Sequence, residues 1–355
     1  MNEANRRVRR RGLGIALAVA GVMVAGRAHA GATINIYSAA GLEVFYKKVL
    51  PAFEKKTGAH VNVLVNGAGV NINRMETEKD SPKADLFVAL PPFSQEAAKK
   101  GLIAPYMPAA GAKLPATLKD PKGAWVSFMN NYFSFIYNPK LTKAPQTFDD
   151  LLHAPYQGNV SYSNPTTAGD GMGLIILLDK VWGEDKAFDY LKKLEGSIKF
   201  HTKGTGFLDV LVGRGEIHVA NGDFQMDMDD KVHGGLAIQP IFLRPAPGAR
   251  PVTFEVPYNV QLVKGGPNPK GAKALIDYLL SKKAQAMTSF VFGLPVRGDV
   301  HMSGPNAGKI EAAVKDVEIA PVDWDHIIAS LDHWKKRWRD DVIGTSTKPL
   351  DRKGH

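Results

Sequence analysis

From residue 33 onward, short apolar runs of four to six residues are separated by longer stretches in which apolar positions recur every three or four residues. The first pattern predicts strands and the second amphipathic helices. Thr33–Ser38 reads as a strand. Leu42–Thr57 reads as a helix with Val44, Phe45, Val49, Leu50 and Phe53 on one side. Val61–Val65 follows as a strand, Asn71–Lys79 as a helix and Asp85–Ala89 as a strand. Ser94–Lys100 is a helix stopped by Gly101, a usual residue after a helix end. The order β-α-β-α-β-α implies a parallel sheet with helices on both faces.

The middle of the chain changes in kind. Val126–Asn138 (VSFMNNYFSFIYN) is long, aromatic and β-prone. At ~3.3 Å per residue it spans about 40 Å, enough to pass from one lobe into another. Phe254–Lys264 (FEVPYNVQLVK) is a second such run. Between them lie a turn and short helix at Pro145–Leu152, a strand at Asn159–Ser163 and a loop at Asn164–Gly173. Helices follow at Leu174–Val181, Lys186–Leu194 and Phe207–Gly213, with strands at Ile217–Asn221 and Ala237–Leu243. Gly271–Leu280 and Lys282–Phe290 read as helices. Trp324–Val342 is a basic amphipathic helix expected to bury its Trp face on its own lobe. The expected fold is α/β and two-lobed, with a multi-strand hinge and a ligand cleft between the lobes. Residues 31–128 plus 258–300 form lobe 1; residues 129–257 plus 301–355 form lobe 2.

The N-terminus has a different pattern. Arg6-Arg7-Val8-Arg9-Arg10-Arg11 precedes an apolar run from Leu13 to Val24 and then Ala28-His29-Ala30. A basic region, a short apolar region and an A-x-A site make an export signal, expected to be cleaved after Ala30 by the general export route. The run is too short for a confident membrane span, which needs about 20 apolar residues. Of the net charge of +10, six Arg and Glu3 place +5 in residues 1–30, leaving +5 on the mature chain. That is mildly basic, with no basic stripe interleaved with aromatics, so nucleic acid is not an expected partner. A mild positive field does favour anionic ligands at encounter. The chain has no Cys, which removes thiol nucleophiles, thiolate zinc sites and iron–sulfur clusters.

In open α/β sheets, ligands sit outside the carboxyl ends of the strands, so the strand-to-helix turns are where chemistry is sought. Three are rich in small residues: Ser38-Ala39-Ala40-Gly41, Gly67-Ala68-Gly69 and Asn164 to Gly171 with Thr166, Thr167 and Ala168. Helix N-termini offer free N–H groups and the positive end of the dipole, and small residues let the backbone approach closely. Converging on one cleft, these turns suit phosphate, phosphonate or carboxylate; taken singly, they are ordinary turns with Ser and Thr as caps. Asp223, after a strand and Gly222, is expected to face the cleft and pair with a ligand ammonium, or else to cap the helix that follows it. Tyr258, after Pro257 in the second long run, is expected to reach the cleft and close it, whereas Tyr37, Tyr132 and Tyr137 suit core or hinge packing.

Catalytic signatures are missing. The sequence has no H-E-x-x-H, no G-x-S-x-G and no G-x-x-x-x-G-K-[ST]. The acidic run Asp227, Asp229, Asp230 does not follow the Ca²⁺-loop pattern and reads as a solvated helix face.

Several segments resemble the extracellular solute-binding proteins of ABC importers, in the branch that binds iron, thiamine, polyamines and phosphonates. They are Ile34-Asn35-Ile36-Tyr37-Ser38-Ala39, the turn at Gly67, and Val260 to Pro269 followed by Ala272-Lys273 and Asp277 to Lys282. Others resemble the 2-aminoethylphosphonate-binding proteins within it: Pro91-Pro92-Phe93, Asn131 to Asn138, Ala168-Gly169-Asp170-Gly171, Gly215 to Met226, Pro257-Tyr258 and Gly293 to Val300. The resemblance implies a type II-like periplasmic binding protein, monomeric, without cofactor, metal or catalysis. It would deliver a small-molecule ligand to an ABC permease in the inner membrane. In that reading Ser38, Ala39, Gly67, Ala68, Gly69, Thr167 and Ala168 hold the phosphonate, Asp223 pairs with the ammonium and Tyr258 closes the cleft. Ala40 stands where this family's first turn is expected to be polar or acidic, and Thr166-Thr167 is richer in hydroxyls than its third turn. No Tyr-Tyr pair is present for Fe³⁺. The alternatives are another cargo on the same fold, such as thiamine phosphate, a polyamine or iron, or an exported phosphoester hydrolase.

Overall fold

The computed structural model describes residues 33–344. The expected export signal and residues 345–355 lie outside the described residues. The first part of the chain runs β1 (Thr33–Ser38), α1 (Glu43–Thr57), β2 (His60–Val65), α2 (Ala68–Thr77), β3 (Leu86–Ala89), α3 (Phe93–Lys99), β4 (Ile103–Ala104) and β5 (Val126–Met129). The second runs β6 (Phe133–Tyr137), β7 (Val160–Ser163), α4 (Gly169–Trp182), α5 (Glu184–Glu195), β8 (Ile198–Thr202), α6 (Gly206–Gly213), β9 (Val219–Asp223), α7 (Phe224–Val232) and β10 (Gln239–Ile241). After β11 (Val252–Thr253) come β12 (Tyr258–Val263), α8 (Pro269–Leu279), α9 (Lys282–Gln285), α10 (Ala307–Val314), β13 (Glu318–Ile319) and α11 (Trp324–Arg337).

Two mixed sheets result. The first has the order β2-β1-β3-β12-β4, with β5 also on β12. Strands β1, β2 and β3 are parallel, and β12 runs antiparallel to β3. Strand β3 is buried along its whole length, as expected for a central strand covered on both faces. In β1, Ile34 and Ile36 are buried while Thr33 is exposed, the period-2 alternation of its sequence. Helix α1 turns Phe45, Tyr46, Val49, Leu50 and Phe53 into the core and ends at Gly58, whose φ of 71° is the left-handed geometry that favours glycine. The second sheet has the order β10-β6-β9-β7-β8, with β7 parallel to β8 and β9.

The two long β runs do cross between the sheets, but not as continuous strands. Val126–Asn138 breaks into β5 in the first sheet and β6 in the second. At the break, Asn130 pairs with Leu294 and Tyr132 with Glu255. The Asn131 side-chain oxygen accepts from the N–H groups of Tyr132 and Gln225, at 2.7 and 2.8 Å. The second crossing lies alongside, its Val256 N–H donating to the Asn131 carbonyl at 2.9 Å.

Helices α2 and α4 begin earlier than expected. Their opening glycines, poor helix formers in isolation, sit where a side chain has no room: a Cβ on Gly171 would lie 2.2 Å from the Ser163 carbonyl oxygen. The helix expected at Lys282–Phe290 stops at Gln285, with a separate short turn at Thr288–Val291. The single helix expected over Trp324–Val342 is α11 continued by a wider π-type turn, Trp338–Ile343. Its Trp face is buried: Trp334 donates to Glu184 at 2.9 Å and Trp338 to the Tyr162 hydroxyl at 2.7 Å. Lys335 reaches from the same helix to Glu96 on α3, at 2.6 Å.

Gly222 in β9 lies directly over the Asp227 carboxylate, so that a Cβ there would come within 2.2 Å of Asp227 Oδ1. Gly222→Ala is expected to lower stability by about 1–3 kcal/mol, the usual range for overpacking a filled site. Urea denaturation checks this; an unchanged midpoint contradicts the contact.

Candidate functional site

The carboxyl ends of β1, β2, β3, β7 and β8 open onto one cavity of about 30 Å³. The β1–α1 turn supplies Ala39 and Ala40, the β2–α2 turn Asn66, Gly67 and Ala68, and β3 leads into Leu90. From the second sheet come Ala168, Gly169 and Asp170 at the start of α4, and Gly204 and Thr205 at the start of α6, with Met226 from α7 beside them. The same turns line an outer cleft of about 830 Å³, where Glu43, Lys203, Phe207, Asp229 and Asp230 are added. The inner space admits about two waters, at roughly 10–15 Å³ each on this measure.

Three helices start at this cavity, and none carries a side-chain cap: α2 after Gly67, α4 after Ala168 and α6 after Thr205. Asp223 caps α7, Asn268 caps α8, Ser281 caps α9 and Asp323 caps α11, while α1, α3, α5 and α10 also lack a side-chain cap. First-turn N–H groups have no acceptor within their own helix, so uncapped helices aimed at one cavity suit an anion.

The residues expected at the anion fall into two groups. Ala39, Gly67, Ala68 and Ala168 line the cavity. Ser38, Gly69 and Thr167 do not. Strand alternation turns Ser38 beneath α1, where its hydroxyl donates to the Ala39 carbonyl at 2.8 Å and lies 3.0 Å from the Tyr46 hydroxyl. Gly69 and Thr167 instead join the two sides: the Gly69 N–H donates to the Thr167 carbonyl at 3.0 Å, and the Thr167 hydroxyl donates to the Lys203 carbonyl at 2.9 Å. The approach is tight, since a Cβ on Gly67 would lie 2.7 Å from the Thr167 oxygen and 2.8 Å from the Lys203 oxygen. Gln225 adds a bond across the same gap, donating to the Gly41 carbonyl at 2.9 Å.

Asp223 and Tyr258 are paired with each other rather than facing the cavity. The Tyr258 hydroxyl donates to Asp223 Oδ2 at 2.9 Å and lies 3.2 Å from the Ala40 carbonyl. Asp223 Oδ1 accepts the Met226 N–H at 2.8 Å, the capping role. Both carboxylate oxygens are therefore engaged, which is why Asp223 is not placed to receive an ammonium.

The carboxylate that lines the cavity is Asp170, 4% exposed. Among the described residues no group donates to its Oδ1. It belongs to a buried acidic set with Asp209, Asp223 and Asp227, and the acidic run is thus not the solvated face expected for it. Burial, then the charge of Asp223, holds the Asp170 carboxyl well above its ordinary range, against the Thr205 hydroxyl that favours ionisation. Burial and Asp223 do the same to Asp227, and burial and Asp227 to Asp209. Asp230, less buried, is pushed up to about 6 by burial and by Asp229. Asp223 is raised less, because the Met226 N–H, Asn131 and Tyr258 offset its burial. Among the described residues no group of three or more His, Asp or Glu is arranged to hold a metal ion.

Residues 81–329 match the family model for bacterial extracellular solute-binding proteins. The chain belongs to that family. It is the solute-binding component of an ABC importer and works in the periplasm; it is not an enzyme, so the hydrolase alternative is set aside. A Salmonella paratyphi A protein, provisionally named as a 2-aminoethylphosphonate-binding periplasmic protein, is 35% identical over 312 residues, covering 86% of this chain and 91% of that one. The thiamine-binding periplasmic protein of Escherichia coli is 32% identical over 145 residues, covering 39% of this chain and 42% of its own. Among solved structures, the periplasmic binding protein AfuA of Actinobacillus pleuropneumoniae, with fructose-6-phosphate bound, superposes with a TM-score of 0.76 at 22% identity, covering 89% of this chain and 99% of that one. The apo ferric ion-binding protein A of Pasteurella haemolytica gives 0.68 at 18% identity, covering 89% and 99%. These structural likenesses establish the two-lobed binding-protein fold.

Asp170 is absent from the expected set because Ala168-Gly169-Asp170-Gly171 reads as a turn. The usable signal lies just beyond that turn: Met172 to Leu178 is apolar or glycine throughout, and all of it is buried. A helix apolar on all sides is a core helix, and an acid in its first turn goes inside with it.

The acidic set makes stability depend on pH. Unfolded carboxyls titrate near 4, whereas Asp230 titrates at about 6 in the folded chain, and Asp170, Asp209 and Asp227 are also raised. The folded chain therefore holds more protons above pH ~4, so this contribution is full below that pH and is lost as pH rises through ~6. Carboxyls that sit below their ordinary range, Asp150, Glu184 and Asp299, act at lower pH. Ligand-free thermal melts are expected to show Tm falling between pH 4 and 7, and Asp209→Asn is expected to flatten that fall. A level profile, unchanged by the substitution, contradicts the acidic set.

Proposed function

We propose that the protein captures 2-aminoethylphosphonate, or a close organophosphonate, in the periplasm and delivers it to an inner-membrane permease. The observation that carries this reading is the convergence of three uncapped helix starts and one buried carboxylate on a single cavity. A phosphonate has oxygens for the first, and an ammonium suits the second. The provisional name of the 35% identical Salmonella protein points to the same ligand. Ala39, Gly67, Ala68 and Ala168 line the phosphonate end. Gly69 and Thr167 clasp the two turns over it, and Tyr258 with Asp223 fixes the wall behind.

In this reading residues 31–128 plus 258–300 move as one lobe and residues 129–257 plus 301–355 as the other, about the paired crossings at Asn131 and Val256. The mature monomer begins at Gly31, after cleavage of the signal. The inner cavity is smaller than the ligand, so the turns part to admit it and close over it. The Gly69–Thr167 and Gln225–Gly41 hydrogen bonds belong to the closed form. A polyamine is the second reading, favoured by the number of buried carboxylates. It is weaker because only Asp170 of the four lines the cavity, beside three helix starts that repel a cation.

Calorimetric titration of ligand-stripped residues 31–355 tests the cargo. Saturable 1:1 binding of 2-aminoethylphosphonate at micromolar Kd or tighter is expected, with phosphate, thiamine and putrescine much weaker. Binding to a control compound and not to 2-aminoethylphosphonate overturns the assignment while leaving the family untouched. Gly67→Ala, whose Cβ meets two carbonyl oxygens across the gap, is expected to weaken that binding at least tenfold with little change in melting temperature. An unchanged Kd contradicts closure on these turns.

A further inference from the structure

We propose that Asp170 is the ammonium-binding residue, and that it makes this site selective for small zwitterions, with an ammonium at one end and a phosphonate at the other, over plain anions. The inference rests on the phosphonate reading above and assigns its other end. Asp170 is the buried carboxylate that lines the cavity, and no described residue donates to its Oδ1. Asp223, the alternative, has both oxygens engaged by Met226 and Tyr258.

A buried acceptor without a donor carries a cost unless a ligand supplies one. Here the missing partner is identified by charge. The charges that act most strongly on the buried acids are one another's: Asp223 on Asp170 and on Asp227, and Asp227 on Asp209. A phosphate or an alkylphosphonate entering without a cation brings more negative charge against that set. A primary ammonium at Asp170 Oδ1 favours the ionised carboxylate that burial and Asp223 otherwise disfavour, and makes a charge-assisted hydrogen bond to it. The same molecule's phosphonate then lies toward the helix start at Ala68 on the first-sheet side of the cavity, where negative charge is favoured. Selectivity thus comes from two ends of opposite sign within one small cavity. Leu90 and Met226 provide apolar wall for a short carbon linker.

The experiment compares two ligands on each of three proteins by calorimetry: 2-aminoethylphosphonate and ethylphosphonate, on the unsubstituted chain, Asp170→Asn and Asp223→Asn. The unsubstituted chain is expected to prefer the amino compound by at least tenfold. Asp170→Asn is expected to weaken the amino compound about 10–100-fold, the worth of a hydrogen bond to a charged group, and to leave ethylphosphonate unchanged or tighter. Asp223→Asn is expected to weaken both ligands by a similar factor, because it loosens Tyr258 and the start of α7. Reading a ratio of ligands on one protein cancels a general loss of folded fraction. Asp170→Ser, which keeps a short polar side chain in the first helical turn, serves should the Asn variant not fold. Equal loss of both ligands in the Asp170 variants, or no loss of the amino compound, overturns the assignment and leaves the phosphonate reading standing. An unsubstituted chain that binds neither compound overturns the phosphonate reading and this assignment with it.

Discussion

Asp170, Asp209, Asp223 and Asp227 are buried together beside the turns of the second sheet, and the strongest charges acting on Asp170, Asp209 and Asp227 come from within the set. Carboxyls gathered in this way must share protons, accept hydrogen bonds or meet a cation. Asp223 takes the Met226 N–H and the Tyr258 hydroxyl and Asp227 takes the Ser134 hydroxyl, while among the described residues nothing donates to either oxygen of Asp209, whose carboxyl burial and Asp227 hold well above its ordinary range. Asp170 alone of the four lines the cavity. The path of Tyr258 across to Ala40 and the glycine at 222 both answer to that arrangement.

Close approach is the second condition. The turns from the two sheets come within hydrogen-bonding distance across Gly69 and Thr167 because Gly67 and Gly69 present no side chain there. Small residues therefore serve two ends. They expose helix N–H groups to an anion, and they let the facing turns meet without steric interference. Gln225 to Gly41 and Lys335 to Glu96 add further bonds between the same two sides. In the proposed reading, closure and binding draw on one set of contacts.

The sequence shows the layers more clearly than the site. Alternating Ile34 and Ile36 and the clustered face of α1 locate the first strands and helices within a residue or two, because burial on one side imposes a period. The crossings are visible as aromatic β runs, yet the break at Asn130–Tyr132 is not, since it is made by long-range pairing with Leu294 and Glu255. Glycine misleads at α2 and α4: intrinsic propensity puts it outside a helix, while the packing of Gly171 on Ser163 puts it inside. At the site, composition picks out the small-residue turns, but which of their groups face the cavity depends on alternation and on partners far along the chain. Ser38 turns to Tyr46, and Asp223 turns to Tyr258 and to its own helix. Asp170 looks like an ordinary turn residue until the burial of the helix it opens is taken into account.

Ligand orientation is read most directly from a crystal structure of the chain with 2-aminoethylphosphonate bound. The ligand nitrogen is expected at about 2.8 Å from Asp170 Oδ1, with phosphonate oxygens toward the first-turn N–H groups of α2. A ligand lying the other way round, or seated in the outer cleft with Asp170 untouched, would contradict that placement.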